Sequence, residues 1–280
     1  MSFPSVLLRL VGKLPLPLLH ALGSVLGWAT YGISPTYRRN LRANLRQAGY
    51  TDARVRREAI AAAGKMLFEL PALWSRPQSE VAALVREVHG LDEALAMHSR
   101  GHPLLFLTPH IGCFEITAQY VSRHVPLTVL YRPPKQSWLE PLMMEGRSRP
   151  NLRLAPADMS GVRALFRALK DGEAVGFLPD QVPGEGEGEW AEFFGRPAYT
   201  MTLAAKLAER EGVGCFLVLG RRLPRGRGYA MEFRPLPKRL AGESATRRLN
   251  RALEELVREC PGQYLWSYNR YKVPKGARPL

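Results

Sequence analysis

Apolar and polar positions fall into blocks whose period changes along this chain. From Ser5 to Ile33 the residues are mostly apolar, with Arg9 and Lys13 the formal charges, and Leu14 to Ile33 carries none. That run has about the length needed to cross a hydrocarbon core of roughly 30 Å. Pro15, Pro17 and His20, with Gly23, Gly27 and Gly32, weaken it as a spanning helix, and no small-residue cleavage site marks it as a removed signal peptide. Two readings stay open: an anchor that lies on or weakly crosses a membrane, and a helix packed on the rest of the chain. Residues 52–77 continue with helical periodicity and little turn chemistry.

From about Pro103 the pattern changes to short apolar runs alternating with helix-length amphipathic stretches. PLLFLTPH, PLTVLYRP, NLRLAP and AVGFLPD read as strands, and GCFEITAQYVSRH, WLEPLMMEGRSR and SGVRALFRALKDG as helices. Ser160 is the expected N-cap of the last of these, with Gly172 just past its end. A Gly- and Glu-rich loop is expected from Pro183 to Glu189, then a helix over TMTLAAKLAEREG capped by Thr200. GCFLVLGRR and YAMEFRPL read as two strands joined across PRGRG, and SATRRLNRALEELVREC as the last helix. This alternation predicts an α/β fold, a mostly parallel or mixed central sheet flanked by helices. The expected organisation is a hydrophobic membrane-associating segment over 1–35 and one α/β domain over 36–280.

Composition adds a globular balance, 46% hydrophobic and 23% charged. Cys113, Cys215 and Cys260 are odd in number and scattered, which excludes a disulfide framework and a metal-ligand spacing and suits a reducing compartment. Charge changes the picture more. Forty Lys and Arg against 25 Asp and Glu give +15. Such a field attracts nucleic acid, an anionic membrane surface, acidic carrier proteins or phosphorylated substrates. No recognition motif accompanies the charge, so nucleic acid is not expected. Arg38, Arg42 and Arg46 recur every fourth residue and share a helix face, either solvated or turned to anionic lipid. RRLPRGRG (221–228) is a second basic patch, at a hairpin tip.

The candidate chemistry starts at His110, at the end of a strand, where an α/β sheet places its ligand crevice. Glu115 follows in the first turn of the next helix. On one regular helix the two would point about 140° apart, so a pair requires His110 to sit in the turn before the helix. Pro109 and Gly112 supply that turn chemistry. There Glu115 could hold one imidazole nitrogen and leave the other free to take a proton. A strand-end histidine that only caps the helix is the alternative. Cys113 beside His110 raises a thiol nucleophile, against which stands its ordinary behaviour as a small buried hydrophobe.

HIGCFE (110–115) resembles the H-x4-D/E signature of the glycerolipid acyltransferase superfamily. More narrowly, the chain resembles the lipid A biosynthesis late acyltransferases, the lauroyl and myristoyl transferase group. The matching blocks are NLRANLRQAGY (40–50), LTPHIGCFE (107–115), LYRPPKQ (130–136), FLPDQVP (177–183), FFGRPAYT (193–200) and QYLWSYNRYKVP (263–274). Asp180 and Gln181 stand where many relatives carry a glutamate, and both are further site candidates.

The resemblance implies transfer of a fatty acyl chain from an acyl carrier protein thioester to a hydroxyl of a lipid A precursor, at the cytoplasmic face of the inner membrane. His110 would be the base and Glu115 its partner, with direct transfer and no acyl-enzyme. Arg132, at the next strand end, and the backbone at Gly112 are candidates for the oxyanion or a substrate phosphate. The expected partners are the carrier protein, the lipid acceptor and an anionic membrane surface, with no cofactor and no metal. A lysophospholipid, an ornithine lipid or another glycolipid stays open as acceptor.

Overall fold

Helices with small residues on one face can bring their backbones into contact, and two of the four helices in the N-terminal quarter of the chain pack that way. In a computed structural model, which describes residues 3–134 and 139–277, four helices come first: α1 (Phe3–Gly12), α2 (Leu16–Ile33), α3 (Pro35–Gln47) and α4 (Ala53–Ser75). Pro35 opens α3 behind Ser34, whose hydroxyl accepts from the Tyr37 amide at 3.3 Å. Asp52 caps α4 by accepting from the Arg54 amide at 2.8 Å. A Cβ added at Gly64 of α4 would meet the Gly23 carbonyl oxygen of α2 at 1.9 Å, and one at Gly27 would meet the Ile60 carbonyl oxygen at 2.2 Å. The α2–α4 contact therefore exists only because these positions lack a side chain.

The α/β part follows in strict alternation: α5 (Gln78–Ala83), β1 (Val85–His89), α6 (Leu91–Ser99), β2 (Leu104–Leu107), α7 (Phe114–Val121), β3 (Leu127–Tyr131), α8 (Glu140–Arg147), β4 (Leu152–Pro156), α9 (Met159–Lys170) and β5 (Ala174–Phe177). A hairpin, β6 (Gly188–Phe193) and β7 (Arg196–Met201), precedes α10 (Thr202–Ala208), β8 (Gly214–Arg222), β9 (Tyr229–Pro235) and α11 (Ala245–Glu259). The main sheet runs β1-β9-β8-β2-β5-β3-β4, parallel throughout except for the antiparallel β8–β9 pair. The fold is thus the expected mixed sheet flanked by helices, with an apolar helical N-terminal region.

The central strand, β2, explains the layering. Leu105 and Leu107 of β2 pack into the core beneath α4, α9 and α11, while Leu104 and Phe106 pack into the core beneath α5, α7 and α8. Successive side chains leave a strand on opposite faces, so one short apolar run serves both layers.

Several local expectations are corrected. Asp158, not Ser160, caps α9, its carboxylate accepting from the Ser160 and Gly161 amides at 2.7 and 3.1 Å. Gly172 does follow the helix in a left-handed conformation, φ 78°. Thr200 is fully buried in β7 rather than capping α10, because FFGRPAYT forms most of the hairpin, and Gly188 and Glu189 belong to β6 rather than to a loop. Strand β1 is not among the expected elements, since VREVH is an edge strand with mostly exposed side chains and no alternation to recognise, and neither are the short helices α5 and α6. Lys135 and Gln136 of the LYRPPKQ block lie outside the described residues.

Candidate active site

Two parallel strands in register deliver two polar side chains to one point. Leu107 of β2 is the partner of Phe177 of β5, and the Thr108 amide donates to the Phe177 carbonyl at 3.1 Å beyond that pair. His110 and Asp180 follow their strand ends by the same number of residues. The imidazole Nδ1 lies 2.8 Å from Asp180 Oδ1, and the His110 backbone N–H donates to Oδ2 at 3.0 Å. One carboxylate thereby holds both the ring and its backbone. Asp180 is almost fully buried. Burial opposes its charge, but the charge and two hydrogen bonds of His110 outweigh this and hold its carboxyl below the usual carboxylate range.

A carboxylate at Nδ1 selects the tautomer with hydrogen on Nδ1, which leaves the Nε2 lone pair to receive a proton. Gln181 Nε2 stands 3.1 Å from that atom, where an incoming hydroxyl would have to sit or beside which it would pass. The Phe114 ring covers the imidazole with centroids 4.9 Å apart. The loop itself is clamped from the C-terminal side. Leu265 N–H donates to the His110 carbonyl at 3.0 Å, Ile111 bridges Tyr264, and the Gly112 amide donates to the Gln263 carbonyl at 3.0 Å. Gly112 has φ 61° and lies so close to the Gly220 carbonyl that a Cβ would stand 2.2 Å from it. Only glycine fits there.

The expected contact between His110 and Glu115 is corrected. Glu115 Oε1 accepts from Arg147 Nε at 2.7 Å and from Trp74 Nε1 at 2.8 Å, and Oε2 accepts from Arg147 Nη2 at 2.6 Å. The carboxylate is filled by a bidentate guanidinium and an indole, while Asp180 occupies the imidazole. The physical reason is register: β5 pairs directly with β2, so the residue beyond β5 outcompetes one in the first turn of α7. Arg147, at the end of α8, carries no signal in the sequence that marks it apart from other arginines. Burial opposes its charge too, but Glu115 more than compensates and raises its pKa.

Glu115 and Arg147 also line a narrow slot that runs from α7 down to β3 and β5, walled by Phe106, Val121, Leu127 and Leu152. Gly176 opens it in the middle of β5. Its volume is about 60 Å³, well under the roughly 150 Å³ of a cavity known to hold benzene, so a longer apolar group would enter only as its walls part.

Arg132 is exposed past the end of β3 and makes no hydrogen bond or ion pair among the described residues. Its strand is not beside that of His110, because β5 lies between them. The Gly112 and Cys113 amides are both consumed by the fold, donating to Gln263 and Gly220 carbonyls. Cys113 is buried, and burial together with the nearby charge of Glu69 pushes its thiol well above the ordinary value. No group of His, Cys, Asp and Glu side chains among the described residues could hold a metal ion.

The remaining motif blocks turn out to be the frame. Asn44 of NLRANLRQAGY donates to the Trp266 and Tyr268 carbonyls at 2.7 and 2.6 Å. Arg270 of the C-terminal block is 2% exposed and reaches the Tyr199 carbonyl at 2.8 Å, Thr200 at 2.8 Å and Asn250 at 3.2 Å. The Tyr271 hydroxyl donates to the Phe193 carbonyl at 2.8 Å, and the Val182 amide donates to the Tyr268 hydroxyl at 3.0 Å. Blocks far apart in sequence therefore brace one another around the loops of His110 and Asp180.

Comparison with known proteins bears on what this site does. The family described as bacterial lipid A biosynthesis acyltransferase matches residues 2–273. The chain is similar to the lipid A biosynthesis lauroyltransferase of Escherichia coli K12, at 26% identity over 96% of this chain and 90% of the relative. It is equally similar to the lipid A biosynthesis palmitoleoyltransferase of the same organism and to a lipid A biosynthesis acyltransferase of Shigella flexneri, each at 26% identity over 96% of this chain and 90% of the relative.

Proposed function

Because the chain belongs to the bacterial lipid A biosynthesis acyltransferase family, we propose that it moves a fatty acyl chain from an acyl carrier protein thioester to a hydroxyl of a lipid A precursor, with His110 as general base. The observation that carries the mechanism is the Asp180–His110 pair, which leaves Nε2 basic. As the acceptor oxygen attacks the thioester carbonyl, Nε2 takes its proton. The tetrahedral intermediate collapses with cleavage of the C–S bond, and the imidazolium returns the proton to the departing carrier thiolate. Asp180 supplies the negative charge that the imidazolium needs, the role the sequence assigned to Glu115. Proton transfer of this kind contributes about 10²–10⁴-fold.

Gln181 is within reach of the oxyanion as an amide donor once the acceptor displaces it from Nε2. Glu115 acts by holding Arg147 at the slot that receives the acyl chain. A buried, electrically uphill thiol at Cys113 argues for direct transfer and against an acyl-enzyme. Arg132, exposed and remote from the base by one strand, suits an acceptor phosphate better than the oxyanion.

The outer faces of α1 and α2 are apolar: Leu7, Leu10, Leu18, Leu22, Val25 and Trp28 are exposed. The α2 helix is the one described helix long and apolar enough to cross a membrane. Its glycine face, however, is fused to α4, which carries Arg54, Arg56, Arg57 and Glu58; crossing would drag those charges into hydrocarbon. These features support a protein that lies on a membrane surface with α1 and α2 as its footing, on this reading the cytoplasmic face of the inner membrane. Purified protein given carrier-linked acyl donors and a panel of lipid acceptors tests the reading. Transfer to a lipid A precursor is expected, and transfer confined to lysophospholipids or ornithine lipids would overturn the acceptor.

A further inference from the structure

A second recess, more polar than the slot at Glu115 and Arg147, shares no lining residue with it. It is a cleft of about 600 Å³ bordered by α2, α4 and the tip of the β8–β9 hairpin. The hairpin tip is seated directly on the first turn of α2, since a Cβ at Gly226 would stand 2.6 Å from Pro17 Cα. Arg225 keeps a left-handed backbone at this tip, φ 59°, an uncommon conformation for a residue with a side chain.

The charges in the cleft are unevenly answered. Arg222, buried at its base, spends two nitrogens on Glu69 and leaves Nη1 buried without a partner. Lys65 is half-buried and Arg225 exposed, and neither makes a hydrogen bond or ion pair among the described residues. Burial, followed by the charge of Arg222, lowers the Lys65 pKa, with Glu69 and Glu58 acting the other way. Glu58 is the carboxylate on the lining, and Arg54 on the next turn answers it at 3.6 Å. A half-desolvated ammonium is costly unless an anion completes it, and Arg225 lines the same cleft. The cleft meets α2 at Pro17, Ala21 and Ser24, whereas Leu18, Leu22 and Val25 on the adjoining stripe of the same helix are exposed and apolar. An anion filling the cleft would therefore sit at the level of the apolar footing.

We propose that this cleft binds the phosphate of an anionic membrane lipid, held by Lys65 and Arg225, while the acyl chains of that lipid lie along the apolar stripe of α2. The site docks the protein on its membrane independently of the acyl-transfer slot. Two charges that grip a phosphate at the surface, rather than attract it diffusely, make binding depend on lipid charge at this spot.

The test uses the full chain and vesicles of phosphatidylcholine with or without phosphatidylglycerol. Sedimentation should show that phosphatidylglycerol raises binding of the unmodified protein, and that combining Lys65→Gln with Arg225→Gln lowers this gain about tenfold. The double substitution Arg167→Gln with Arg210→Gln, which removes the same charge from a basic cleft bordered by α9 and distant in sequence from α2, should keep it. Equal loss in both double variants would reduce the effect to diffuse electrostatics and overturn the site, as would an undiminished gain in the Lys65/Arg225 variant. Thermal unfolding of both variants, expected to match the parent, controls for folding. Inorganic phosphate without lipid should leave the unfolding temperature unchanged; a rise that Lys65→Gln abolishes would make the occupant free phosphate instead of lipid. Binding to phosphatidylcholine alone, which rests on the apolar footing, should survive in every variant.

Discussion

Asp180 Oδ1 lies 2.8 Å from His110 Nδ1, and the two residues stand equally far beyond paired strands β2 and β5. That relationship makes Asp180, rather than Glu115, the group whose loss should be read in the chemical step. Asp180→Asn keeps the shape but removes the charge opposite the imidazolium. The catalytic rate constant should fall about 10²–10⁴-fold with little change in acceptor KM, as for His110→Ala, while thermal unfolding stays cooperative. Near-normal turnover in a folded Asp180→Asn protein would sink the assignment.

Glu115 and Arg147 should behave as a structural couple. Removing Arg147 leaves a carboxylate that is 5% exposed with Trp74 as its remaining hydrogen-bond partner among the described residues. Arg147→Ala should therefore cost about 3–5 kcal/mol of stability, the range for breaking a buried pair, and denaturant titration would measure it. The double replacement of Glu115 by Gln and Arg147 by Met, leaving no uncompensated charge, should recover much of that loss without restoring activity. Full activity in the double variant would show the pair to be scaffolding alone.

Cys113 offers a clean discrimination between direct transfer and an acyl-enzyme. Cys113→Ala should retain most of the activity, and mass spectrometry of the protein with acyl donor alone should find no adduct. A stoichiometric acyl group on Cys113 would reverse the mechanism.

The cluster beneath α2 predicts a pH dependence of stability. Glu69 is fully buried between Arg222 and His20, with His20 Nε2 2.8 Å from Oε1. Burial opposes its ionisation, but Arg222 and His20 outweigh it and bring its pKa to about 2 from an ordinary 4.5. A depressed carboxylate stabilises the fold above its unfolded pKa, so this contribution is complete above about pH 5 and is lost as pH falls from there toward 2. Thermal unfolding of the parent should weaken over that window more steeply than that of Glu69→Gln, which lacks the titration. Parallel curves would remove Glu69 from the account.

The footing on the membrane is best tested from outside the fold. Deleting the first helices would strip the cover from α4, whereas Leu22→Gln with Val25→Gln alters exposed positions of α2. These changes should shift protein to the soluble fraction while the unfolding temperature stays within a few degrees. Unaltered retention would place the anchor elsewhere.

Taken by itself, the sequence determined most of the alternation of strands and helices from β2 onward, because period is local, and it located His110 at a strand end. The elements β1 and α6, the β6–β7 hairpin and the cap of α9 were not legible, because an exposed edge strand lacks alternation and a cap depends on the loop before it. Its motif blocks also identified the family, since six short segments in order carry more information than any one geometry. What only the tertiary structure decided is which distant segment meets which. Glu115 and Asp180 are both acidic and both near a loop, and the choice between them turned on β5 inserting between β2 and β3, a pairing that apolar runs of equal length do not encode. The same holds for Arg147, one arginine among many until α8 brings it to Glu115, and for FFGRPAYT and the C-terminal block, whose buried Arg270 proved to be a brace. Strand order and helix docking are set by the summed burial of the whole core, so the partners of a charged side chain are known only once that core has closed.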